Sequence, residues 1–597
     1  MKLPTPVRRS QPAHAPRHGH RLALLFALAL GFTLLNAAKP LHIDDTAYYA
    51  YARHIADHPL DPYGFEVFWY ESPLPANQVL APPVLPYWWA AAMRLFGERP
   101  VLWKLWLFPF CWLFVCALDA LFRRFTPGME TPLLWMTVLS PTFLPSLNLM
   151  LDVPALALGL AALVLFFRAA DRDAPPWSAL AGLLAGLAMQ TKYTGLLAPA
   201  AMLLYALALS LAASAFSGAL LRKKILLWLV AAAAAAVVFV SWEGFVALRY
   251  PEGSHFLYHL RANAAESPIE RIGEWSGPLL ALLGGVAPAV GVLGLIALRR
   301  RGWVIVACGA VAVLGYALIA CLAGTFTVWL KADAALMGMP GAVTGSCSLE
   351  QVVFTVFGAV VCAVVGVAAW QLLGLSHGLR WQPARLVRRR AEWFLVAWLA
   401  LETAGYFALT PFGAVRRVMG LVVVGTLLVG RLASFRARAP GRRRLVWAAV
   451  VGNVLLGLAF YVVDLREAVA RRDAALGAAV AVRGHEAGAR IWYIGHWGFQ
   501  YYAERAGMTP VEAGASRLRP GDWLVVPDAS VERQEVVLDP ASLQGFDPVV
   551  VPACLPVATV RGFYGTGTGV PLQHHEGPRV RVDIYRVTRD YVPQAPK

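Results

Sequence analysis

The sequence predicts an α-helical polytopic membrane protein that ends in a small α/β domain. Its 597 residues are 58% hydrophobic and 15% charged, whereas soluble domains carry about 25% charged residues. Apolar segments close to the ~20 residues that cross a hydrocarbon core recur along most of the chain, and arginine-rich stretches separate them. The composition changes only after residue 463.

The apolar segments predict thirteen transmembrane helices. They cover residues 22–38, 101–121, 130–148, 153–169, 177–191, 194–216, 225–243, 278–298, 303–323, 351–373, 391–409, 415–432 and 445–463. Residues 1–21 then form a basic cytoplasmic N-terminus, residues 22–463 the membrane domain, and residues 464–597 an extracytoplasmic domain. A cleavable signal peptide over residues 1–38 is the alternative for the first helix, since a basic start followed by an apolar run fits one.

Basic clusters in alternate connections predict the orientation. They are Arg8, Arg9, Arg17 and Arg21; Arg123 and Arg124; Arg168 and Arg172; "RKK" at 222; "RRR" at 299; "RLVRRR" at 385; and "RARAPGRRR" at 436. The positive-inside rule assigns these to the cytoplasm. The loop 39–100, the turns near 149–152 and 192, and everything after 464 then lie outside.

Other classes of protein fit the composition poorly. The net charge of +17 comes from short arginine blocks between apolar spans, so membrane orientation explains it better than nucleic-acid binding. The seven cysteines show no metal-ligand spacing and lie mostly within apolar segments. No nucleotide-binding glycine loop is visible in the sequence.

The first outer loop begins with two adjacent carboxylates, Asp44 and Asp45. The tyrosines and alanines of "TAYYAYARHIADH", residues 46–58, have helical spacing, and an Asp before such a segment is a natural N-cap. A second amphipathic helix is predicted near 84–96. Capping explains one Asp and leaves the second unexplained. We expect both helices to lie on the outer membrane face and to cover a cavity.

Four segments resemble a known family. "DDTAYYAYARHI", "APPVLPYWWAAAMRLFGE", "LSPTFLPSLNLMLDVPALALGLAALVLFFRA" and "GLLAGLAMQTKYTGLLAPAAMLLYAL" are similar, in order, to motifs of the family 39 glycosyltransferases of the GT-C fold. That family includes protein O-mannosyltransferases and the aminoarabinose transferase that acts on lipid A. The resemblance implies a multi-pass enzyme of a bacterial-type inner membrane. Such an enzyme moves a sugar from a polyprenyl-phosphate donor to an extracytoplasmic glycan, lipid or protein.

The resemblance also implies roles for three carboxylates. Asp44 matches the first acidic position and is the candidate general base, which must lie within hydrogen-bond reach of the acceptor hydroxyl. Asp45 would cap the helix or orient the acceptor. Asp152 would bring a second carboxylate to the same side, although an Asp before a helix-starting Pro is also a common cap. No cofactor is expected, and a divalent metal stays undecided.

Three cations are candidates for binding the donor phosphate. Lys192 in "QTKYTG" lies between apolar spans, where a lysine is costly unless it is paired or lines a cavity. Snorkelling to the interface is its alternative. Arg416 and Arg417 in "TPFGAVRRVMGL" lie at the outer end of a span, against the positive-inside trend. Binding of a lipid headgroup without catalysis is the alternative for this pair.

The segment after 464 predicts a small α/β domain. "ARIWYIG", "GDWLVVPD" and "RVRVDIYRV" are typical of strands, and "GFQYYAERAG" of an amphipathic helix. His496 and Trp497 fit either a glycan-stacking site or a packed loop that docks this domain on the membrane part, and we favour the packed loop. A transporter of lipid-linked glycans is the alternative function, since Lys104 and Glu402 lie within predicted spans. An inactive, scaffold-like relative is a third possibility.

Overall fold

Apolar helices form most of the chain before residue 486, and a five-stranded mixed sheet forms the core of the part after it. The computed structural model describes residues 18–596 except 70, 80–81, 211–217, 252, 264–267, 323–348, 375–388, 411, 438, 560–562 and 566–569. This arrangement confirms the predicted fold class of a helical membrane protein with a small α/β domain.

The helices are α1 (His18–Ala37), α2 (Asp45–Asp57), α3 (Ala76–Val79), α4 (Val84–Phe96), α5 (Pro100–Leu105), α6 (Phe108–Phe125), α7 (Glu130–Val138), α8 (Asp152–Arg172), α9 (Pro175–Met189), α10 (Leu197–Ser210), α11 (Gly218–Arg249), α12 (His255–Asn263), α13 (Pro268–Val286), α14 (Pro288–Ala297), α15 (Arg300–Leu322), α16 (Leu349–Leu373), α17 (Arg390–Leu409), α18 (Met419–Arg436), α19 (Pro440–His485) and α20 (Trp497–Arg505). The strands are β1 (Glu66–Trp69), β2 (Ser72–Pro75), β3 (Ile491–Tyr493), β4 (Thr509–Pro510), β5 (Trp523–Pro527), β6 (Leu543–Val551), β7 (Val557–Ala558), β8 (Gln573–His574) and β9 (Val580–Val587). Short 3-10 turns cover Tyr193–Leu196, Val415–Arg417 and Pro540–Ser542.

The number of membrane spans differs from the prediction. Among the described residues, eight helices are long and apolar enough to cross a membrane, or nine if Trp275–Val286 and Pro288–Ala297 form one broken span. That pair bends by 76° at its break, where Pro288 removes a helical hydrogen bond. The thirteen predicted helices are therefore not confirmed.

The predicted span 130–148 is wrong as a continuous helix. Helix α7 ends at Val138, and the chain then runs through turns until Asp152. Pro141 and Pro145 lie in this segment, and each lacks the N–H donor of a helix interior and disfavours helical geometry in the residue before it. The segment is nevertheless buried, with Phe143 and Leu144 fully enclosed. The apolar composition of this segment therefore reflects burial inside the protein and not a membrane-spanning helix.

Several helices present apolar side chains on their outer surface. In α11, only 22% of the most apolar window is buried inside the protein, and Val237 is 67% exposed. Exposed apolar surface of this extent is favourable in lipid and unfavourable in water. In contrast, 78% of the corresponding window of α18 is buried, so this helix lies inside the bundle.

Helix α19 connects the membrane part to the sheet. Its 46 residues extend roughly 70 Å, and the predicted domain boundary at residue 464 falls inside it. Alanines on its last turns pack under the sheet, whose strand order is β4-β3-β5-β9-β6. Strand β3 is parallel to β4 and β5, whereas β9 is antiparallel to β5 and β6. The predicted strands at 490–494, 521–528 and 579–587 are confirmed as β3, β5 and β9.

The first loop folds as predicted into two helices, α2 and α4, joined by the β1–β2 hairpin. The two helices pack against each other, with the rings of Tyr48 and Trp89 5.7 Å apart. Helix α2 also contacts α20 of the C-terminal part. The start of α2, where Asp44 lies, is therefore covered from both sides.

Candidate functional site

Charged residues from four separate elements meet at one end of the helical bundle. Asp44 precedes α2, Asp152 begins α8, Lys192 follows α9, and Arg416 and Arg417 form the turn before α18. The last four line a cleft of about 820 Å³ including its open mouth. Asp44 joins them through a hydrogen bond that Arg416 Nη1 donates to its Oδ2 at 2.7 Å.

The three cations of this group outnumber its two carboxylates, Asp44 and Asp152, by one. Arg416 pairs with Asp44, and Lys192 pairs with Asp152. Arg417 has no ion pair to any described residue, and its guanidinium carbon lies 4.9 Å from the centre of the Phe412 ring. The Nε atoms of Arg416 and Arg417 are buried without a hydrogen-bond partner among the described residues. Buried donors without partners are costly, so this geometry favours an anionic ligand.

Burial weakens the proton affinity of the lysine in this group. The pKa of Lys192 is lowered to about 7, chiefly by burial and also by the two nearby arginines, whereas Asp152 opposes the shift. The lysine consequently changes charge near neutral pH, unlike an exposed lysine with its usual pKa near 10.4.

Away from the charged group, the cleft becomes apolar. Small and apolar side chains of three helices line it, among them Gly159 and Leu163 of α8, Ala198 of α10 and Trp398 of α17. One carboxyl group, that of Glu402, also faces this space, and Trp398 Nε1 donates to it at 3.0 Å. The sequence indicates Glu402 only as a charge within a predicted span. Its place in the cleft could not be predicted. When a helix is apolar on all sides, the sequence does not indicate which side faces the interior.

Asp45 does not join the group around the cleft. Its side chain is fully buried and points to the other side of the loop, where Oδ2 accepts from His42 N at 2.9 Å and lies 3.5 Å from Lys104 Nζ. Burial raises its pKa, and Lys104 opposes this effect. Because its hydrogen bond comes from a residue that precedes α2, Asp45 caps no N–H of the helix, and it has no contact with the cleft.

The capping alternatives for the other two carboxylates find no support either. Asp44 is the residue before α2 but makes no side-chain capping hydrogen bond. Asp152 is the first residue of α8, and its carboxylate pairs with Lys192. Both side chains therefore form ion pairs with residues of other elements and do not cap their own helices.

Among the described residues, no group of three or more His, Cys, Asp or Glu side chains could hold a metal ion. Asp44 and Asp152 already pair with cations. Metal dependence stays undecided.

A family model described as dolichyl-phosphate-mannose-protein mannosyltransferase matches residues 81–242. The chain is also similar to several solved structures. The archaeal oligosaccharyltransferase AglB from Archaeoglobus fulgidus, in complex with an inhibitory peptide and a dolichol phosphate, has 14% identity and a TM-score of 0.49, over 85% of this chain and 69% of that one. ArnT from Cupriavidus metallidurans bound to undecaprenyl phosphate has 15% identity and a TM-score of 0.39, over 86% and 94%. The arabinosyltransferase EmbB from Mycobacterium smegmatis has 13% identity and a TM-score of 0.33, over 77% and 44%.

No curated protein matches the chain. The family match contains Asp152 and Lys192 and confirms the resemblance to membrane glycosyltransferases of the GT-C type. The protein is a multi-pass membrane protein that carries, over residues 81–242, a match to this glycosyltransferase family.

Proposed function

We propose that this protein transfers a sugar from a polyprenyl-phosphate donor to a hydroxyl group of an extracytoplasmic acceptor, with Asp44 as general base. The observation that carries the proposal is the meeting of three cations and two carboxylates at the mouth of an apolar cleft. The acceptor is a cell-envelope glycan, a lipid or a protein.

The cations suit the phosphate of the donor. Lys192, Arg416 and Arg417 come from two elements and face the same space. Guanidinium groups bind phosphate oxygens through paired N–H donors, and the unpartnered Nε atoms offer such donors. Negative charge builds up on the phosphate as it leaves. Arg417, the cation without an ion pair among the described residues, would stabilise that charge.

The apolar part of the cleft suits the prenyl chain. It begins at the cations and continues between α8, α10 and α17, where small and apolar residues such as Gly159 and Ala198 line it. A ligand with an anionic head and an apolar tail would satisfy both parts at once. A soluble sugar phosphate would leave the apolar part unfilled.

Asp44 suits the base role because it lies beside the phosphate site without being inside it. Arg416 lines the cleft and also holds the Asp44 carboxylate, so it would fix the base relative to the phosphate. In the reaction, the acceptor oxygen forms a bond to the anomeric carbon, and the bond from that carbon to the phosphate oxygen breaks. The hydroxyl proton goes to Asp44, and polyprenyl phosphate leaves.

Sidedness follows from the arginine clusters. If these clusters are cytoplasmic, Asp44, Asp152 and Lys192 face the outside of a bacterial-type inner membrane. The segment after 464 is then an extracytoplasmic domain. Lipid-linked sugars are available on that side, whereas nucleotide sugars are cytoplasmic.

The test is transfer of label from a set of radiolabelled polyprenyl-phosphate sugars into membranes that contain the wild type or Asp44→Asn at equal abundance. Asp57→Asn is the matched control, because Asp57 is an exposed carboxylate at the far end of the same helix. We expect label in the wild type and control only, in a product that identifies the acceptor. Equal labelling in all three would contradict the assignment of the base, and no labelling with any donor would contradict the function.

A further inference from the structure

The residue before Asp44 has an unusual backbone conformation. Ile43 has a φ of 52°, in the left-handed region that β-branched residues rarely adopt. Such a conformation persists only where surrounding contacts hold it. Asp44 therefore depends on whatever holds residues 41–46, which we call the Asp44 segment.

The C-terminal part contacts the Asp44 segment at both ends. Leu41 N donates to the Tyr502 hydroxyl at 3.1 Å, and Thr46 Oγ1 donates to the carbonyl oxygen of Trp497. Between these two bonds, a Cβ atom on Gly498 would lie 2.7 Å from Leu41 O. The two backbones therefore meet at a distance that only glycine permits.

Trp497 itself has a φ of 58°. Each of the two contacting segments therefore contains one residue in the left-handed conformation, Ile43 in one and Trp497 in the other. His496 and Trp497 are both buried. This placement agrees with the packed-loop interpretation of the "GHWGFQYY" segment and leaves these two rings no exposed face for stacking on a glycan.

A buried polar cluster fixes the beginning of the segment. Lys39 pairs with Asp464 of α19, and His42 Nε2 lies 3.3 Å from the other oxygen of the same carboxylate. The Tyr564 hydroxyl, which also belongs to the C-terminal part, donates to Asp464 at 3.1 Å. All four side chains are buried, so loss of one partner would leave an unsatisfied charge or polar group.

We propose that the C-terminal domain is a positioning element for the reaction. Through Trp497, Gly498 and Tyr502 it holds the Asp44 segment in its strained conformation, so that Asp44 stays against Arg416. None of these three residues lines the cleft, so they act through Asp44. The inference rests on the proposed function and deepens it, because it gives the domain a task in catalysis.

Gly498→Ala tests this directly, with Gly488→Ala as the matched control. A Cβ on Gly488 meets nothing within 4 Å. We expect Gly498→Ala to lower kcat at least tenfold with an unchanged KM for the donor, because the phosphate and prenyl sites are untouched. We expect Gly488→Ala to retain both constants. An unchanged kcat in Gly498→Ala would overturn the proposal.

A rescue experiment separates positioning from general loss of structure. Thr46→Val removes the bond to Trp497 with little change in shape, and we expect it to lower kcat about tenfold. Adding Ile43→Gly should recover about half of the decrease in log kcat, since glycine adopts a positive φ without strain. No recovery would show that the contact supports folding alone and would overturn the proposal.

Hydrogen exchange provides a readout that does not need activity. In Gly498→Ala, we expect amides of residues 41–46 to exchange at least tenfold faster than in the wild type, with unchanged exchange in α8 and α18. Equal exchange would overturn the positioning role whatever the activity. A wild type that transfers no sugar but shows this difference would contradict the proposed function and leave the contact established.

Discussion

Asp44 is the residue on which the proposed chemistry depends most. Its carboxylate pairs with Arg416 of the proposed phosphate site, whereas the carboxylate of Asp152 pairs with Lys192. Loss of a general base costs on the order of 10²- to 10⁴-fold in rate. We expect Asp44→Asn to lower kcat within this range, measured with saturating donor and acceptor. A partial return of activity in Asp44→Glu would support the base role, whereas equal kcat in Asp44→Asn and the wild type would refute it.

Lys192 should make donor use dependent on pH. Because its pKa is lowered to about 7, the lysine is charged below neutral pH and loses its charge as pH rises. We therefore expect kcat/KM for the donor to fall above about pH 7, since this ratio reports groups of the free enzyme.

The matched variant for this prediction is Lys192→Arg. An arginine stays protonated over the accessible range, so the fall in kcat/KM should move to higher pH or disappear. The measurement is a pH profile of initial rates at low donor concentration. A profile that is the same for both proteins would mean that the lysine charge does not contribute to donor binding.

At the scale of elements, the apolar cleft makes a prediction about donor length. Ala198→Trp in α10 places a large ring in the cleft, and overfilling a packed space displaces its other occupant. We expect KM for a long-chain prenyl donor to rise at least tenfold, with a smaller rise for a short-chain donor. Leu207→Trp is the control, because Leu207 is on the same helix and 39% exposed. Equal effects of the two variants would argue against a prenyl site here.

Local sequence patterns predicted the elements whose signals are local. Helices α2 and α4 follow from helical spacing of aromatic and apolar residues, and β9 follows from strict alternation. The span 130–148 failed because the average apolarity concealed Pro141 and Pro145. Helix α19 is longer than predicted because its second half is amphipathic and packs on a sheet that is itself formed later in the chain.

The candidate site could be predicted in part, through topology. The predicted topology puts Asp44, Asp152, Lys192 and the arginine pair on one side of the membrane, and the structure brings all five residues together at one end of the bundle. The burial of Asp45 against Lys104 could not be predicted, because a loop sequence does not determine the direction in which a side chain points. The same holds for Lys39 and Asp464, which are 425 residues apart in sequence. Such pairs depend on the tertiary fold alone.

At the scale of the whole molecule, the orientation in the membrane decides whether the proposed reaction is possible. Cys554 is exposed in the C-terminal part, and Gly441 is an exposed residue in the arginine-rich first turn of α19, where an added Cβ would meet nothing within 4 Å. If the arginine clusters are cytoplasmic, these two positions lie on opposite sides of the membrane. Helix α19 would then cross the membrane once between them.

Labelling with a membrane-impermeant maleimide measures this orientation. In a variant that keeps Cys554 and has serine at the other six cysteines, we expect labelling in intact cells. In a fully serine-substituted background carrying Gly441→Cys, we expect labelling only after the membrane is opened. The reverse pattern would place Asp44 and the cleft in the cytoplasm, where nucleotide sugars are available. It would then remove the reason for a lipid-linked donor presented outside, even if Asp44 proved essential.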